Sequence, residues 1–440
     1  MGGRRTLCVD APNVPSVNPQ ANKPMNITWE TVSPASPPQP GVAGNVLREA
    51  LSAGSKLGGF LQSAAQADEP VLLLVNDPHR ATQTRPALIA LAQLVAESAV
   101  RTTVRARVPR FRAMVATGTH YFPVRERIQF EEATFAECGL DIEKIAWHDA
   151  TDTTSLVPIA GVRMHRWVAE SRFLLPIGSL EPHYFAGLTG PHKTVTIGCM
   201  SAEDVERNHE GALSPSSDIL RLQGNPVFDG AVQILRRLES TGKTICALGE
   251  VICGGALLAA AAGDPVEVID ELLPTVRRIY VRPIPNPVDI LRLRVPLPLG
   301  RNLYQADKGL KNNHPAVRDG GGIILEADCP EGIGPDAFLN LLRRAGDCAS
   351  ALRIVAEEGY RLGDHKAVKL RHLMDPRHRG VHIALASPHL AGSDLAGTGI
   401  EVFPEVHPAL CWLADVVTGS LDHGLIVDDA GMVTVTLGSA

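Results

Sequence analysis

Apolar residues in this chain fall into short runs closed by polar or glycine positions, and these runs alternate with longer stretches of helical spacing. "VLLLVND" (71–77) is such a run, followed by the helical "ALIALAQLVAES" (87–98). "FRAMVATGTH" (111–120) and "VRERIQFEEATF" (124–135) repeat the pair, and "RFLLPIG" (172–178) opens another. Further apolar runs follow at "TICALGEVIC" (244–253), "VDILRLRV" (288–295), "GGIILEADC" (321–329) and "VHIALASPH" (381–389). Strands that are apolar throughout belong to parallel sheets covered on both faces, and strands alternating with helices predict βαβ units. The pattern predicts an α/β fold of two α/β domains with mainly parallel sheets and an active site in the interdomain cleft.

Three prolines in "VRPIPNPVD" (281–289) interrupt the alternation. They place a hinge at 281–287, between a first domain over 43–280 and a second over 288–440. Residues 10–42 are rich in Pro, Asn and Ser, as in "VSPASPPQPG", so the N-terminal arm, 1–42, is expected to be loosely ordered.

Composition narrows the partners. The 440 residues carry a net charge of −6 and only 4% aromatics, with no basic run, which argues against nucleic acid. The apolar stretch "ALLAAAAG" (256–263) is far too short for a membrane span. Eight cysteines, at 8, 138, 199, 246, 253, 329, 348 and 411, form no C-x-x-C pair, and the N-terminus lacks the apolar core of a secretory signal. The expected location is cytoplasmic and the expected partner small.

Ligands of open α/β sheets sit beyond the carboxyl ends of the strands, and the candidate chemistry falls there. "VND" leads into Asp77-Pro78-His79-Arg80, "VATG" into Thr119-His120, and "LLPIGSLEP" into His183. "GLTGPHKTVTIGC" (187–199) holds Lys193 among small residues but lacks the G-x-x-x-x-G-K-[ST] spacing of a nucleotide phosphate loop. Its lysine could pair with an anion or form a covalent bond through its amine. His148 and His192 are expected to be structural. "SAEDVERNHEGA" (201–212) reads as a helix capped by Ser201, with His209 near its end as a dipole partner or a metal ligand. In "RNLYQADKGLKNN" (301–313), Tyr304 and Lys308 share a helix face beside Gln305, as a surface helix or an anion-orienting patch.

Together these motifs resemble the nickel-pincer lactate racemases and related 2-hydroxy-acid racemases and epimerases. The matching pieces are Asp77 and Arg80 after a strand, "ATGTH" with His120, and "HYFAGLTGPHK" with His183 and Lys193. Asn208-His209, "GNP" (224–226) and "YQADKG" with Tyr304, Gln305 and Lys308 follow in order. The resemblance implies a nickel cofactor, the pyridinium-3,5-bisthiocarboxylic acid mononucleotide, held covalently at Lys193 with His209 as the protein ligand to nickel. It places Asp77 and Arg80 against the cofactor. It implies transient hydride transfer from a 2-hydroxy acid through a 2-keto acid, with His120 and His183 as acid–base groups on opposite faces. Arg80, Tyr304, Gln305 and Lys308 would bind the substrate, and cofactor-biosynthesis proteins would be partners. Asn76, His79, Ala81 and Pro191-His192 depart from the family pattern, so lactate itself is not assumed. The alternative is a non-catalytic protein binding a small anion or the nickel cofactor. A nicotinamide dehydrogenase is a weaker option, because no G-x-G-x-x-G follows an early strand.

Overall fold

Strand Val71–Asn76 lies at the centre of the first sheet and is buried along almost its whole length. Its side chains alternate between two cores. Val71, Leu73 and Val75 pack with Leu57, Phe60, Leu88 and Leu91 of the helices Lys56–Ala67 and Thr84–Arg101. Leu72 and Leu74 pack on the other face with Ile234, Leu235 and Leu238 of helix Pro226–Ser240. Both faces are covered, which is why the strand carries no polar alternation. The structure, a computed structural model, describes residues 27–34, 43–52, 56–101 and 108–438.

The main path of the first sheet runs Ala256–Gly263, Ala247–Cys253, Phe173–Ser179, Val71–Asn76, Phe111–Ala116, Ile142–Trp147. All neighbours are parallel except the first pair. The second sheet is parallel throughout, in the order Thr28–Val32, His423–Val427, Val288–Arg294, Val317–Glu326, His382–Ala386, Ile400–Phe403. In the first sheet the chain starts at the central Val71–Asn76 and winds outward both ways; in the second, Thr28–Val32 lies at one edge and the chain then runs from Val288–Arg294 outward to Ile400–Phe403 before returning to His423–Val427. One switch point lies between Phe173–Ser179 and Val71–Asn76, the other between His423–Val427 and Val288–Arg294, and such points are where α/β sheets bind ligands.

Three segments behave differently from their composition. The stretch 10–42, expected as a loose arm, includes Thr28–Val32, an edge strand of the second sheet. Its Trp29 packs with the Ile290, Ile324 and Leu413 cluster, over a glycine, Gly424, where a Cβ would come within 2.5 Å of the indole. The proline-rich 281–287, expected as a hinge, contains strand Val281–Ile284, paired in parallel with Thr434–Leu437. "ALLAAAAG" is the antiparallel edge strand of the first sheet. No helix of the described residues is long and apolar enough to cross a membrane. Five of the described cysteines, Cys138, Cys199, Cys246, Cys329 and Cys348, are free and buried; Cys253 is buried as well, and Cys411 is free and half-buried.

Candidate active site

Each strand end delivers its polar group through a specific local device. Beyond Val71–Asn76, one oxygen of the buried Asp77 carboxylate accepts the backbone N–H of His79 at 2.9 Å. This Asx turn bends the chain and presents His79 and Arg80. Asn76 anchors the same corner, donating to Thr194 at 3.0 Å and accepting from Thr82 at 2.7 Å. Beyond Phe111–Ala116, Gly118 takes a left-handed conformation (φ +57°) and its N–H donates to Gly198. His120 then meets Asp77, with Nδ1 2.9 Å from the second carboxylate oxygen.

Beyond Phe173–Ser179 a small hairpin pairs Pro182–His183 with Gly187–Leu188. Gly187 (φ +72°) is required there, because a Cβ would lie 2.3 Å from the carbonyl oxygen of Arg221. His183 is buried, stacked on Tyr184 and edge-on to Phe185. The "GNP" asparagine holds this loop: Asn225 donates to the Phe185 carbonyl at 2.9 Å and caps helix Pro226–Ser240.

Lys193 sits on the short helix Pro191–Val195, its ammonium 5.7 Å from the Phe185 ring centroid. Helix Ala202–Glu210 starts at Ser201, whose side chain accepts the Asp204 N–H as its sequence suggested. Near the helix end His209 is buried against the other side of Phe185, its Nδ1 3.2 Å from the Asn208 carboxamide oxygen. That contact assigns the proton to Nδ1 and leaves Nε2 as a lone-pair donor.

The second domain contributes helix Leu303–Asn313, capped by Asn302, which brings Tyr304, Gln305 and Lys308 to the cleft. Buried Glu181 bridges the domains, 3.8 Å from Arg80 and 3.6 Å from Lys308. Asp77, Arg80, His120, His183, Lys193, His209, Tyr304, Gln305 and Lys308 all line one cavity of about 530 Å³. Tyr304 is largely a wall, since its ring lies against Lys366 and Phe338. His148, left structural by its sequence, is buried with Nε2 on the Met200 carbonyl. His192 is also buried, outside the cavity lining and against Phe228, and neither ring nitrogen has a hydrogen-bond partner.

Four lining residues carried no assigned role in the sequence. His79 and Arg301 form a pair across the domains: a guanidinium nitrogen donates to His79 Nε2 at 2.6 Å. His365 stands between the hydroxyls of Tyr184 (3.0 Å) and Tyr360 (2.7 Å). Lys366 is 3.5 Å from Asp307. The adjacent His-Lys in "GDHKAVK" was the available signal for the last two.

Electrostatics separate the imidazoles. Burial drives His183 well below the usual histidine range, with Lys193, Lys308 and Arg80 adding to the effect. Burial lowers His209 to about 3 and His79 to about 4. All three are neutral at pH 7. Burial would raise Asp77, but the His120 hydrogen bond and the charges of His120, Arg80 and His79 hold it below the ordinary carboxylate range. Burial, with Arg80 and Lys308 nearby, lowers Lys193 to about 7. The donor atoms of Asp77, His79 and His120 lie within 4.8 Å of one another, a spacing a metal could use. The Arg301 guanidinium on His79 puts a positive charge against that spot, so a cation is disfavoured there.

Two family models match parts of the chain, one in each half. Lactate racemase N-terminal domain matches residues 23–219, and lactate racemase C-terminal domain matches 292–360. The chain belongs to the lactate racemase family. Members are isomerases of the racemase type. The lactate racemase of Thermoanaerobacterium thermosaccharolyticum is 24% identical over 318 residues, spanning 68% of this chain and 69% of that protein. That of Lactiplantibacillus plantarum is 27% identical over 247 residues, spanning 54% and 57%. The fold agrees with the lactate racemase apoprotein structure from T. thermosaccharolyticum, with a TM-score of 0.75 at 19% identity over 96% of this chain and 97% of that one. A crystal structure of a Thermotoga maritima protein gives 0.65 at 16% identity, over 90% and 98%.

Proposed function

We propose that this chain racemises or epimerises a small 2-hydroxy acid using a nickel-pincer pyridinium mononucleotide attached at Lys193. The observation that carries this reading is the convergence of two imidazoles, His120 and His183, and two cations, Arg80 and Lys308, on one interdomain cavity.

The residues present fit such a group. Lys193, lowered to about 7, is substantially a free amine near neutral pH, the form that can bond to a thiocarboxyl arm. His209 is neutral, buried and oriented by Asn208, with Nε2 available as a donor suited to nickel. Phe185 lies edge-on between His183 and His209, giving an apolar wall beside Lys193. When bound, the cofactor would supply a reversible acceptor for the hydride of the carbinol carbon.

The chain's own residues do the rest. Arg80 and Lys308 receive the substrate carboxylate, and Glu181 between them fixes both cations before substrate arrives. Gln305, on the same helix as Lys308, faces the cavity as a hydrogen-bonding group. Inversion at a carbinol carbon needs a proton acceptor for the hydroxyl on each face. Asp77 takes the Nδ1 proton side of His120, so Nε2 is the basic atom. His183, kept neutral by burial, serves the other face.

Expression with the cofactor-building proteins, followed by nickel analysis and a chiral assay of candidate 2-hydroxy acids, tests the reading. Stoichiometric nickel and racemisation are expected. Loaded, folded protein that leaves every enantiomer unchanged would overturn it.

A further inference from the structure

Five cations line the cavity, Arg80, Lys193, Arg301, Lys308 and Lys366, against one lining carboxylate among the described residues, Asp77. Four of the five have a task or a partner. Arg80 and Lys308 flank Glu181, Lys193 is the attachment point, and Lys366 pairs with Asp307 at 3.5 Å. Arg301 has neither. It follows a short turn, Leu299–Arg301, and immediately precedes the cap of helix Leu303–Asn313. Its side chain is only 18% exposed, and its buried Nε–H has no hydrogen-bond partner. The nearest carboxylate, Glu331, is largely exposed and stands 3.6 Å away, outside hydrogen-bond reach. A largely buried guanidinium without a firm counter-ion is costly unless a ligand completes it.

His79 shows where Arg301 points. The guanidinium donates to its Nε2, and the His79 ring lies 5.3 Å from that of His120 and 4.5 Å from Phe122. Arg301 therefore reaches from the second domain to the His79–His120 side of the cavity. Arg80 and Lys308 act on both Lys193 and His183, whereas Arg301 acts on His79, where Arg80 also reaches. The cavity thus carries a cation on the His79 side in addition to the Arg80–Lys308 pair.

We infer that Arg301, steadied by His79, binds a second anionic group of the substrate. On the reading proposed above, the substrate class is then a 2-hydroxy acid with a carboxylate or phosphate at its far end. The first carboxylate goes to Arg80 and Lys308, and the second anion reaches Arg301 past His120. A methyl group, as in lactate, would leave Arg301 unanswered.

The test compares holoenzyme with its Arg301→Ala and Arg301→Lys variants, each checked for folding by thermal melting. The probes are lactate, 2-hydroxybutanedioate, 2-hydroxypentanedioate and 2-hydroxy-3-phosphooxypropanoate, followed by chiral assay and by calorimetric binding. The wild type should prefer at least one doubly charged acid over lactate by about 10-fold or more in kcat/KM. Arg301→Ala should raise KM for that acid by about 10- to 100-fold and collapse the preference, with partial recovery in Arg301→Lys. Preference for a dicarboxylate or for the phosphate acid identifies the second group. Equal treatment of all acids by the wild type, or an equal loss for all acids in Arg301→Ala, would overturn the inference. So would loss of bound cofactor in Arg301→Ala, which would assign the guanidinium to the nucleotide phosphate. If no acid is racemised, the proposed reaction fails, and calorimetric discrimination between singly and doubly charged probes still decides the anion site.

Discussion

Asp77 divides its carboxylate between two partners, holding Nδ1 of His120 at 2.9 Å with one oxygen and the backbone N–H of His79 at 2.9 Å with the other. Asp77→Asn cannot satisfy both in the same way. If the amide oxygen stays on the His79 N–H, the NH₂ group faces His120 Nδ1 and moves the ring proton to Nε2. The base is then blocked with its geometry intact. Racemisation by Asp77→Asn should fall by about 10²-fold or more, close to the loss in His120→Ala. Chiral assays of both variants, with matching thermal melts, check this. Wild-type rates in Asp77→Asn would remove the carboxylate from the reaction.

His120 and His183 should fail differently. Each single alanine variant should lose about 10²-fold or more in racemisation, because inversion uses both rings. Each should still oxidise one enantiomer on the loaded enzyme, seen as a change in cofactor absorbance and as trapped keto acid. The surviving enantiomer should be opposite in the two variants. The same survivor in both would refute assignment to opposite faces.

Lys193 carries a pH signature. Its ammonium is lowered to about 7, so the free amine gains population as pH rises through that value, far below the ordinary lysine range. Acylation of apoprotein, followed at the Lys193 peptide by mass spectrometry, should reach half its limiting rate near pH 7. A midpoint above pH 9 would contradict the burial argument. In loaded protein the same peptide should carry the cofactor mass, and an unmodified Lys193 in active enzyme would refute covalent attachment.

His209→Ala should lose most bound nickel from loaded protein, since Nε2 of His209 is the protein donor proposed for it. Asn208→Ala should lose less, because it frees the Nδ1 side without removing the ring. Metal analysis of both variants separates a ligand from a helix-end histidine: unchanged nickel in His209→Ala returns that residue to a structural role.

The strands that deliver Asp77, His120 and His183 were legible because each is a run of residues buried on both faces, and such runs end abruptly at polar atoms. The helix after Ser201 was legible from its cap, and Leu303–Asn313 was legible as a helix but not as the largely buried one it is, against the surface helix its polar composition suggested. Thr28–Val32 was hidden because its partner, His423–Val427, lies at the opposite end of the chain and only packing on Gly424 explains Trp29. Arg301 and His365 were hidden in the same way. An arginine before a helix and a histidine within one are ordinary locally; their meaning comes from His79 and Tyr184, reached across 222 and 181 residues.

The pairing of Thr28–Val32 with His423–Val427 also dictates an order of events during vectorial synthesis. The first sheet is complete once Ala256–Gly263 has left the ribosome, and it can close around its own cores while the rest is still being made. Thr28–Val32 emerges before all of this, yet has no partner until the last strand of the second sheet appears. The Lys193 loop is therefore assembled on a folded half-molecule while the cleft is still open on the side of Lys308. The second half, which carries Lys308, is then added to a first half that already holds Lys193.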